Sequence, residues 1–491
     1  MPDSSAIIVS KENEVYLKLD AEANIRKLLS EFFSFEVPGY KFTPQYRSRV
    51  WDGRIRLFQY ASGRIYLGLL PYIQEFAKKN DCILIYDKGV KEKVNDIPIE
   101  CLKTFIKTLT TKFKIRDYQL DAVRYALQHN RALLLSPTAS GKSFVIYCLV
   151  RYYLLKKKKI LIIVPKTSLV EQLYADFKDY GFDSKTNCHR IYYGYEKTSD
   201  KPVIISTWQS LYKFPEEYFK KFGAVFGDEA HLFKARSLVG IMTKMVDCKY
   251  RIGLTGTLDE TKTHKLVLEG LFGAVNKVTT TKKLMDKKQL STLKIYALVL
   301  QHTKDSCHYV HDKKYHEEMS FLVGHTPRNK FISNLCLDLQ GNTLCLFTLV
   351  EKHGKILLDM IKKKAEKKRK IFFVYGGVEA LDREKIRSIV EKEDNAIIVA
   401  SYGTFSTGIN IRNLHNIVFS SPTKSKIRSL QSIGRGLRIG DNKTEATLYD
   451  IADDLTYNKK KNYTLEHFSN RINIYNEEDF DYEIHQVELK S

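Results

Sequence analysis

Short apolar runs rich in β-branched residues alternate with helical segments from about residue 105 onward. The runs are apolar on both faces and mostly end in turn residues, which is typical of parallel strands buried beneath helices. Two blocks of such runs occur, one before and one after about residue 290, so we expect an α/β chain with two tandem parallel-sheet domains. The runs are RALLLSP, KILIIVP, PVIIST, AVFGDEA and YRIGLTGT, then TLCLFTL, KIFFVYG, AIIVAS and NIVFSS.

The first hundred residues have a different pattern, which predicts a small mixed α+β domain. VYLKL alternates like a strand and AEANIRKLLSEFF has helical spacing. Asp52-Gly53 predicts a tight hairpin turn, followed by the strand RIRLFQY and a second turn at Ser62-Gly63. At 491 residues the chain is too long for one core. We place the domains at 1–104, 105–285 and 286–491.

The charge balance favours a polyanionic partner. Eighty Lys and Arg against 57 Asp and Glu leave a formal net charge of +23. Such an excess is the electrostatic footprint of nucleic-acid binding, although a solvated basic surface is the alternative. The N-terminal segment supports the same partner, because aromatic residues there interleave with arginines that could grip phosphates. The residues predicted to contact nucleic acid there are Arg47, Arg49, Trp51 and Arg54. The alternative is that the aromatic residues form the core of this small domain.

Several classes of protein are excluded by composition. A hydrophobic content of 43% is too high for a wholly disordered chain. No stretch of about 18 apolar residues is present, and the N-terminus lacks the layout of a signal peptide, so we expect no membrane association and a cytoplasmic location, the host cytoplasm if the protein is viral. The eight cysteines are scattered without zinc spacing, which predicts reduced buried thiols and no cysteine metal site.

The segment SPTASGKS at 136–143 lies between an apparent strand and an apparent helix. Backbone amides of such a loop and helix start can cradle phosphate oxygens. Lys142 would reach the β- and γ-phosphates, and the Ser143 hydroxyl would ligate Mg²⁺. Ser136 stands where the pattern usually shows Gly, and a chance Gly-Lys-Ser turn is the alternative. The predicted ATP-binding residues of the loop are Pro137, Thr138, Ala139, Ser140, Gly141, Lys142 and Ser143.

A second motif, the acidic GDEAH at 227–231, ends the apolar run FGAVF. A carboxylate at the tip of a buried strand beside a phosphate loop can hold Mg²⁺, which predicts this role for Asp228. Glu229 would orient and deprotonate the attacking water. A solvated acidic turn is the alternative for an isolated motif, but this one follows the phosphate loop within an α/β pattern.

The order of these segments resembles that of superfamily 2 helicases of the DEAH-bearing type. IRDYQLDAV resembles the Q motif, IIVPKTSLVEQ motif Ia, ISTWQSL motif Ib and LTGT motif III. LCLFTL resembles motif IV, SYGTFSTGIN motif V and QSIGRGLR motif VI. The resemblance covers most of residues 112–440. It implies two RecA-like domains, with ATP in the cleft between them and closure of the domains gating hydrolysis.

The resemblance also implies roles for individual residues. Adenine recognition falls to Arg116 and Gln119, and a further nucleotide contact to Gly408. Motif III couples hydrolysis to domain movement, through Thr255, Gly256 and Thr257. Two arginines of motif VI would reach the γ-phosphate on closure, with a surface basic turn as the alternative. Motif V ends in Asn410, where many relatives carry an Asp, and this departure leaves its role open. The implied catalytic residues are Lys142, Asp228, Glu229, His231, Gln431, Arg435 and Arg438.

Nucleic-acid contacts in the helicase domains follow by analogy with the family. Contacts to the backbone by Ser and Thr carry no sequence information, which suits a motor that moves over any sequence. Core packing is the alternative for Trp208, and satisfied turn hydroxyls are the alternative for the two threonines of motif V. The implied contact residues are Thr167, Trp208, Gln209, Thr404 and Thr407.

Including PGYKFTPQYRSRVWDGRIRLF, nearly the whole chain resembles the UvsW-type helicases of tailed bacteriophages. This implies an ATP- and Mg²⁺-dependent helicase or translocase, acting as a monomer, that remodels stalled forks, Holliday junctions and R-loops in recombination, repair and replication. Its partners would be branched DNA, RNA–DNA hybrids, and recombination or single-strand-binding proteins. The alternatives are an RNA helicase, a generic DNA-translocating ATPase of a larger assembly, and a binding protein whose helicase motifs have decayed.

Overall fold

The computed structural model describes residues 6–37, 39–90, 94–109, 111–258, 262–365, 369–408, 411–422, 425–437 and 443–489. The chain divides into two compact units. The first contains residues 1–136 and 141–278, and the second contains residues 137–140 and 279–491. Among the described residues, no helix has both the length and the apolar character needed to cross a bilayer.

The N-terminal part of the first unit is a small mixed α+β fold. A four-stranded sheet has the order β5-β2-β1-β6, and β3 pairs with β4 in a separate two-stranded ribbon. The strands are β1 (Ala6–Lys11), β2 (Tyr16–Ala21), β3 (Ser34–Glu36), β4 (Arg54–Arg56), β5 (Arg64–Tyr66) and β6 (Ile83–Tyr86). The helices are α1 (Ala23–Phe32), α2 (Pro44–Arg47), α3 (Leu70–Lys79) and α4 (Ile99–Lys107), with 3₁₀ turns at Tyr40–Phe42 and Leu67–Leu69.

The rest of the first unit is built on a seven-stranded parallel sheet of order β13-β7-β12-β11-β8-β10-β9. Its strands are β7 (Arg131–Leu135), β8 (Ile160–Val164), β9 (Cys188–Ile191), β10 (Val203–Thr207), β11 (Ala224–Asp228), β12 (Tyr250–Thr255) and β13 (Val275–Lys277). Its helices are α5 (Asp117–His129), α6 (Lys142–Leu155), α7 (Thr167–Asp179), α8 (Ser184–Asn187), α9 (Trp208–Leu211), α10 (Glu216–Phe219), α11 (Arg236–Thr243) and α12 (Lys262–Phe272), and Ala230–Lys234 is a 3₁₀ helix.

The second unit contains another seven-stranded parallel sheet, of order β16-β17-β15-β18-β19-β14-β20. Its strands are β14 (Thr292–Gln301), β15 (Thr343–Phe347), β16 (Ile371–Val374), β17 (Ile397–Ser401), β18 (Asn416–Phe419), β19 (Glu445–Asp454) and β20 (Tyr482–Glu488). Its helices are α13 (Thr281–Asp286), α14 (Lys304–Val310), α15 (Tyr315–Gly324), α16 (Thr326–Asp338), α17 (Lys355–Lys364), α18 (Ala380–Val390), α19 (Tyr402–Gly408), α20 (Lys426–Gly436) and α21 (Tyr463–Glu477), and Val350–Gly354 is a π-helix.

The two parallel sheets confirm the predicted tandem α/β architecture. Every run quoted from the sequence contains a strand, and residues of β8, β10, β15 and β17 are buried on both faces, as expected for strands covered by helices. The sequence pattern did not reveal the second sheet's long strands β14 and β19, nor β20 at its edge.

The predicted hairpin around Asp52-Gly53 is wrong. The residues before it form the 3₁₀ turn Tyr40–Phe42 and helix α2, and β4 pairs with β3 instead. The cause is a local helix start: the Thr43 hydroxyl accepts a hydrogen bond from the Tyr46 amide, 3.4 Å, and Pro44 occupies the first turn. The second predicted turn is present, with Gly63 in a left-handed conformation, φ 70°.

The N-terminal fold is anchored to the parallel sheet of the first unit. Arg131, the first residue of β7, pairs with Glu14 at 2.8 Å and also donates to the Glu14 carbonyl. The Tyr72 hydroxyl donates to the Glu269 carboxylate of α12 at 2.6 Å. Close packing accompanies these bonds, because a Cβ on Gly68 would lie 2.0 Å from the Glu269 carbonyl oxygen. The N-terminal fold therefore stays with this sheet as one compact body.

Candidate functional site

The loop between β7 and α6 has the backbone geometry of an anion cradle. Ala139 and Gly141 are both left-handed, with φ of 65° and 81°, and Gly141 directly precedes the first residue of α6. Left-handed turns that lead into a helix N-terminus present amide groups to a negative ligand. The loop is tied to the sheet, since the Ser136 amide donates to the Thr255 carbonyl at 2.8 Å. The small Ser136 side chain is buried there.

Side chains within the loop hold its shape. The Ser140 hydroxyl donates to the Pro137 carbonyl at 2.7 Å, and Ser140 is buried. The Lys142 ammonium donates to the Ser136 carbonyl at 3.2 Å, so it folds back across the loop. The predicted residues Pro137, Thr138, Ala139, Ser140, Gly141, Lys142 and Ser143 thus all belong to one strand–loop–helix turn.

Of the two predicted adenine-recognition residues, Gln119 lies against this loop. Gln119 is buried, and its side-chain oxygen accepts the Arg116 amide at 3.0 Å at the start of α5. A Cβ added at Gly141 would lie 2.4 Å from Gln119 Nε2, so the amide side chain packs directly on the glycine. The Arg116 guanidinium donates to the Tyr118 hydroxyl at 2.9 Å. The structure therefore packs Gln119 against the loop, and the role of Arg116 and Gln119 in adenine recognition stays a prediction.

The acidic motif follows β11, the neighbour of β12 in the sheet. Asp228 ends the strand, and its carboxylate accepts the Glu229 amide at 3.0 Å. Glu229 is left-handed, φ 52°, which turns the chain sharply at the strand tip. Glu229 Oε2 is buried and lies 3.5 Å from His231 Nδ1. The motif therefore gathers two carboxylates and an imidazole at the carboxyl edge of the sheet.

His231 connects this motif to the residues that follow β12. The imidazole is buried, and its Nδ1 lies 2.9 Å from the Thr255 hydroxyl. Because that hydroxyl donates its single proton to the Thr257 carbonyl at 2.8 Å, it must accept from His231. His231 therefore carries its proton on Nδ1. His231, Thr255 and Thr257 thus form one hydrogen-bonded chain that starts at the acidic motif.

Asp228 has the electrostatics of a cation ligand. The pKa of its carboxyl is raised to about 7, mainly by burial and then by the charge of Glu229, while Lys142 opposes both effects. Two adjacent carboxylates with one nearby ammonium leave uncompensated negative charge, which a divalent cation would offset. Carboxylate and hydroxyl oxygens are donors that Mg²⁺ prefers. The predicted ligands Asp228 and Ser143 therefore fit Mg²⁺ in their chemistry.

Two aromatic residues beside Ser143 were missed by the sequence analysis. The Tyr180 and Ser143 hydroxyls share a hydrogen bond of 2.8 Å, and burial raises the pKa of Tyr180 to about 12. The half-exposed ring of Phe113 lies edge-on to Tyr180, with centroids 5.0 Å apart. Neither residue belongs to a motif, and only the fold brings Tyr180, 37 residues away, against the loop.

Three predicted nucleic-acid residues, Thr167, Trp208 and Gln209, share the carboxyl edge of the first unit's parallel sheet. Thr167 begins α7 after β8, is exposed, and lies on the strand's carboxyl side. Trp208 and Gln209 follow β10, which pairs with β8, and Gln209 Nε2 donates to the Pro165 carbonyl at 3.5 Å. Trp208 is partly buried against the hydrophobic core, so it contributes to packing as well.

The second unit places its predicted residues in two helices. Thr404 in α19 is only 6% exposed, and its hydroxyl accepts from Ser401 at 2.9 Å. Gln431 and Arg435 lie in α20. Thr407 and Gly408 end α19, with their side-chain surroundings outside the described part of the chain. Asn410 and Arg438 lie outside the described residues altogether.

The N-terminal contact residues cluster around α2 and the turn that leads to β4. Arg47 and Arg49 are exposed, and Phe42 and Val50 beside them are 78% and 80% exposed. Phe42 is therefore not part of a core. Trp51 is half-buried, and its indole N–H donates to the carbonyl of Arg54 at 2.9 Å. The guanidinium of Arg54 lies 3.6 Å from Glu36, both side chains being well exposed.

Comparison with protein families assigns a family to each part of the chain. Residues 7–87 match the family described as "DNA helicase UvsW, N-terminal". Residues 112–260 match "Type III restriction enzyme, res subunit", and residues 328–440 match "Helicase conserved C-terminal domain".

Individual proteins give the same result over the full length. The chain is 36% identical over 496 aligned positions to the "ATP-dependent DNA helicase uvsW" of Enterobacteria phage T4, covering 96% of this chain and 98% of that protein. The crystal structure of T4 UvsW superimposes with a TM-score of 0.53, at 34% identity, covering 99% of this chain and 100% of the other. A putative HsdR subunit of a type I restriction enzyme from Vibrio vulnificus shares the fold, with a TM-score of 0.56 at 17% identity over 80% of this chain and 72% of its own. The chain belongs to the UvsW-type family of ATP-dependent helicases within superfamily 2.

Proposed function

We propose that this helicase is a DNA motor that remodels branched substrates, namely stalled forks, four-way junctions and R-loops. The observation that carries the proposal is a hydrogen-bonded assembly at one sheet edge of the first unit, where Ser136 at the start of the phosphate loop, the acidic motif and the Thr255–Thr257 segment meet. The full-length similarity to a phage protein that is named a DNA helicase supports DNA as the nucleic acid along which this protein moves.

In this proposal the β7–α6 loop binds the triphosphate of ATP. Its amides and Lys142 contact the phosphates, and Gln119 and Arg116 recognise the adenine. Asp228 and Ser143 would hold Mg²⁺, which when bound neutralises charge on the phosphate oxygens. Glu229 accepts a proton from the attacking water, and the adjacent His231 positions the Glu229 side chain. The seven side chains named here all lie in the first unit.

The second unit contributes positive charge through its arginines. Arg435 and Arg438 stabilise the charge that develops on the transferred phosphoryl group, and Gln431 assists them. Gly408 contacts the nucleotide. An arginine of this kind is worth about 10³–10⁵ in rate. Arg435→Ala is therefore expected to lower turnover by at least about 10³ while ATP still binds, measured as nucleotide affinity beside hydrolysis rate.

Nucleic acid lies along the carboxyl edges of the sheets in this proposal. Thr167, Trp208 and Gln209 contact one strand from the first unit, and Thr404 and Thr407 from the second. The surface of Arg47, Arg49, Trp51 and Arg54 engages duplex near the branch point. Because residues 1–104 are anchored to the first sheet, this accessory domain moves with the ATP-binding domain 105–285, and 286–491 acts as the second motor domain.

Strand separation on matched substrates tests the proposal. A forked duplex, a four-way junction, an R-loop and a linear duplex are built from the same sequences and incubated with the protein, ATP and Mg²⁺. We expect resolution of the branched substrates at least about tenfold faster than of the linear duplex. Equal rates on all of them would reduce the protein to a generic translocase, and activity on RNA duplexes alone would identify an RNA helicase.

A paired variant tests the part played by the N-terminal surface. Arg47→Gln combined with Arg49→Gln should weaken fork binding and lower the salt dependence of duplex binding by about 1.8 in slope, about 0.9 for each lost phosphate contact. Arg56→Gln is the matched control, since Arg56 already pairs with Asp52. Equal behaviour of the double variant and the control would remove this surface from the proposal.

A further inference from the structure

The second unit has a surface where exposed tyrosines and lysines meet. We define this tyrosine–lysine surface by three tyrosines and five lysines: Tyr309, Tyr315, Tyr463, Lys313, Lys314, Lys459, Lys460 and Lys461. No residue of this surface has a part in the proposed hydrolysis or in the predicted nucleic-acid contacts.

The surface lies at the carboxyl edge of the second sheet. Strands β14 and β19 are parallel neighbours over ten residue pairs. Helices α14 and α15 follow the carboxyl end of β14, while the turn at 457–460 and helix α21 follow the carboxyl end of β19. Since α19 with Thr404 follows β17 of the same parallel sheet, the tyrosine–lysine surface shares the edge that carries the predicted contacts of motif V.

The three tyrosines are exposed in an unusual concentration. Tyr309, Tyr315 and Tyr463 are 59%, 41% and 44% exposed, whereas every other Phe or Tyr side chain described in the second unit is at least partly buried. The Tyr315 and Tyr463 rings have centroids 6.1 Å apart. Exposing an aromatic ring to water is unfavourable in the free protein, and a ligand that stacks on the ring would remove this free-energy cost.

A buried carboxylate fixes two of these tyrosines relative to each other. Glu318 of α15 is 1% exposed and accepts the Tyr463 and Thr464 amides, at 2.9 and 2.8 Å. It also accepts from the Thr464 hydroxyl at 2.7 Å and from the Asn462 side chain at 2.8 Å. These four bonds join α15 to the start of α21. Tyr315 and Tyr463 therefore stand on a preorganised base rather than on independent loops.

Two lysine runs are drawn together beside the rings. The Lys460 ammonium donates to the His311 carbonyl at 3.0 Å, which ties the 457–460 turn to the segment that carries Lys313 and Lys314. Lys313 also lies 4.9 Å from the centre of the Tyr309 ring. The turn is closed by paired backbone bonds between Tyr457 and Lys460.

The acidic residues nearby do not cancel this charge at the turn. Asp305, Asp312, Glu317 and Glu466 lie on α14, α15 and α21 or in the loop between the first two, and the Glu317 carboxylate is used to accept the Lys314 amide at 2.9 Å. The turn itself carries Lys459, Lys460 and Lys461 in succession without an acid. Lysine ammonium groups held close together repel one another, and a polyanion bound there would relieve this repulsion.

We infer that the tyrosine–lysine surface is a second binding site for an unpaired nucleic-acid strand, with lysines on phosphates and tyrosine rings stacked on bases. The inference rests on the proposed motor function and extends it to a part of the second unit that no motif marks. Stacking and phosphate contacts read no sequence, so this site binds any strand. It holds the strand that continues past the motif V contacts.

Binding of a fluorescein-labelled single strand by the full-length protein, followed by anisotropy at several salt concentrations, tests this site. Lys459→Gln with Lys461→Gln should lower the slope of log affinity against log salt by about 1.4, about 0.7 for each phosphate. Tyr463→Ala should weaken binding by about 5- to 150-fold, the loss of one stacked base, whereas Tyr463→Phe should bind like the wild type. Lys460 is left intact because it holds the turn.

Matched controls separate this site from general effects. Lys385→Gln with Lys392→Gln removes two exposed lysines on and just after α18 and should leave the slope unchanged. Thermal unfolding establishes that each variant is folded. A slope for the Lys459 and Lys461 variant equal to that of the control, or a Tyr463→Ala variant that binds like Tyr463→Phe, overturns the inference. Failure of the wild-type protein to bind any strand would instead overturn the proposed function.

Discussion

At the scale of single residues, the Thr255 hydroxyl joins two motifs that the sequence separates by 24 positions. It accepts from His231 and donates to the Thr257 carbonyl, so a displacement of His231 would disturb both bonds. A buried relay of this kind is costly to break, because each orphaned donor or acceptor loses about 1–3 kcal/mol. The coupling role of Thr255, Gly256 and Thr257 stays a prediction, and these bonds give it a physical route through Thr255 and Thr257.

Replacement of this hydroxyl should uncouple hydrolysis from strand separation. Thr255→Val keeps the shape of the side chain but removes the hydroxyl that accepts from His231 Nδ1 and donates to the Thr257 carbonyl. We expect nucleic-acid-stimulated hydrolysis to persist while the number of base pairs opened per ATP falls at least about threefold. Parallel hydrolysis and strand-separation assays measure this ratio.

Thr255→Ser is the control for that substitution, since it retains the hydroxyl and should keep the wild-type ratio. A valine variant that opens as many base pairs per ATP as the serine variant would show that the relay has no coupling role.

The motif residues could be predicted from sequence, but their neighbours could not. Lys142, Asp228 and Glu229 stand out because each needs a fixed chemical type next to a strand or helix end. The sequence around Tyr180 does not mark it as part of a site, since a tyrosine at the end of a helix is common in proteins. Its place beside Ser143 depends on how α7 and α6 pack, which is a property of the fold.

At the scale of elements, buried strands were easier to predict than edge or solvated segments. β7, β8 and β10 each contain an unbroken run of at least three apolar residues, and burial on both faces leaves little choice of register or structure. β20 is mostly exposed at the sheet edge and has no such pattern. The error at 40–56 has a local cause, because the Thr43-Pro44 helix start outweighs the strand propensity of the aromatic residues.

Gly141 provides a prediction about the element that joins β7 to α6. Gly141→Ala places a Cβ in a left-handed conformation and 2.4 Å from Gln119 Nε2, so the loop or Gln119 must shift. We expect ATP affinity to fall at least about tenfold, measured with a fluorescent nucleotide analogue.

Gly240 is the matched position, because a Cβ there meets nothing within 4 Å inside α11. Gly240→Ala should leave ATP affinity unchanged and raise the stability of the protein by about 0.5–1 kcal/mol in thermal unfolding. Unchanged nucleotide affinity in both variants would contradict the loop assignment.

At the scale of the whole molecule, the net charge of +23 predicts binding that depends steeply on salt. Each phosphate neutralised releases counterions, so several contacts together lose orders of magnitude in affinity between about 50 and 200 mM salt. We expect the wild-type affinity for a forked duplex to fall at least about 10³-fold over this range, measured by fluorescence anisotropy. An affinity that does not change with salt concentration would rule out binding through contacts to the nucleic-acid backbone.

ATP hydrolysis by the purified protein tests the central claim most directly. The wild type and Lys142→Ala are assayed alone and with single-stranded, duplex, forked and four-way-junction DNA, and with matched RNA. The account predicts strongest stimulation of the wild type by forks or junctions, and no hydrolysis by Lys142→Ala even though that variant still binds DNA. Equal turnover by the two proteins, or no hydrolysis by the wild type with any nucleic acid, would contradict it.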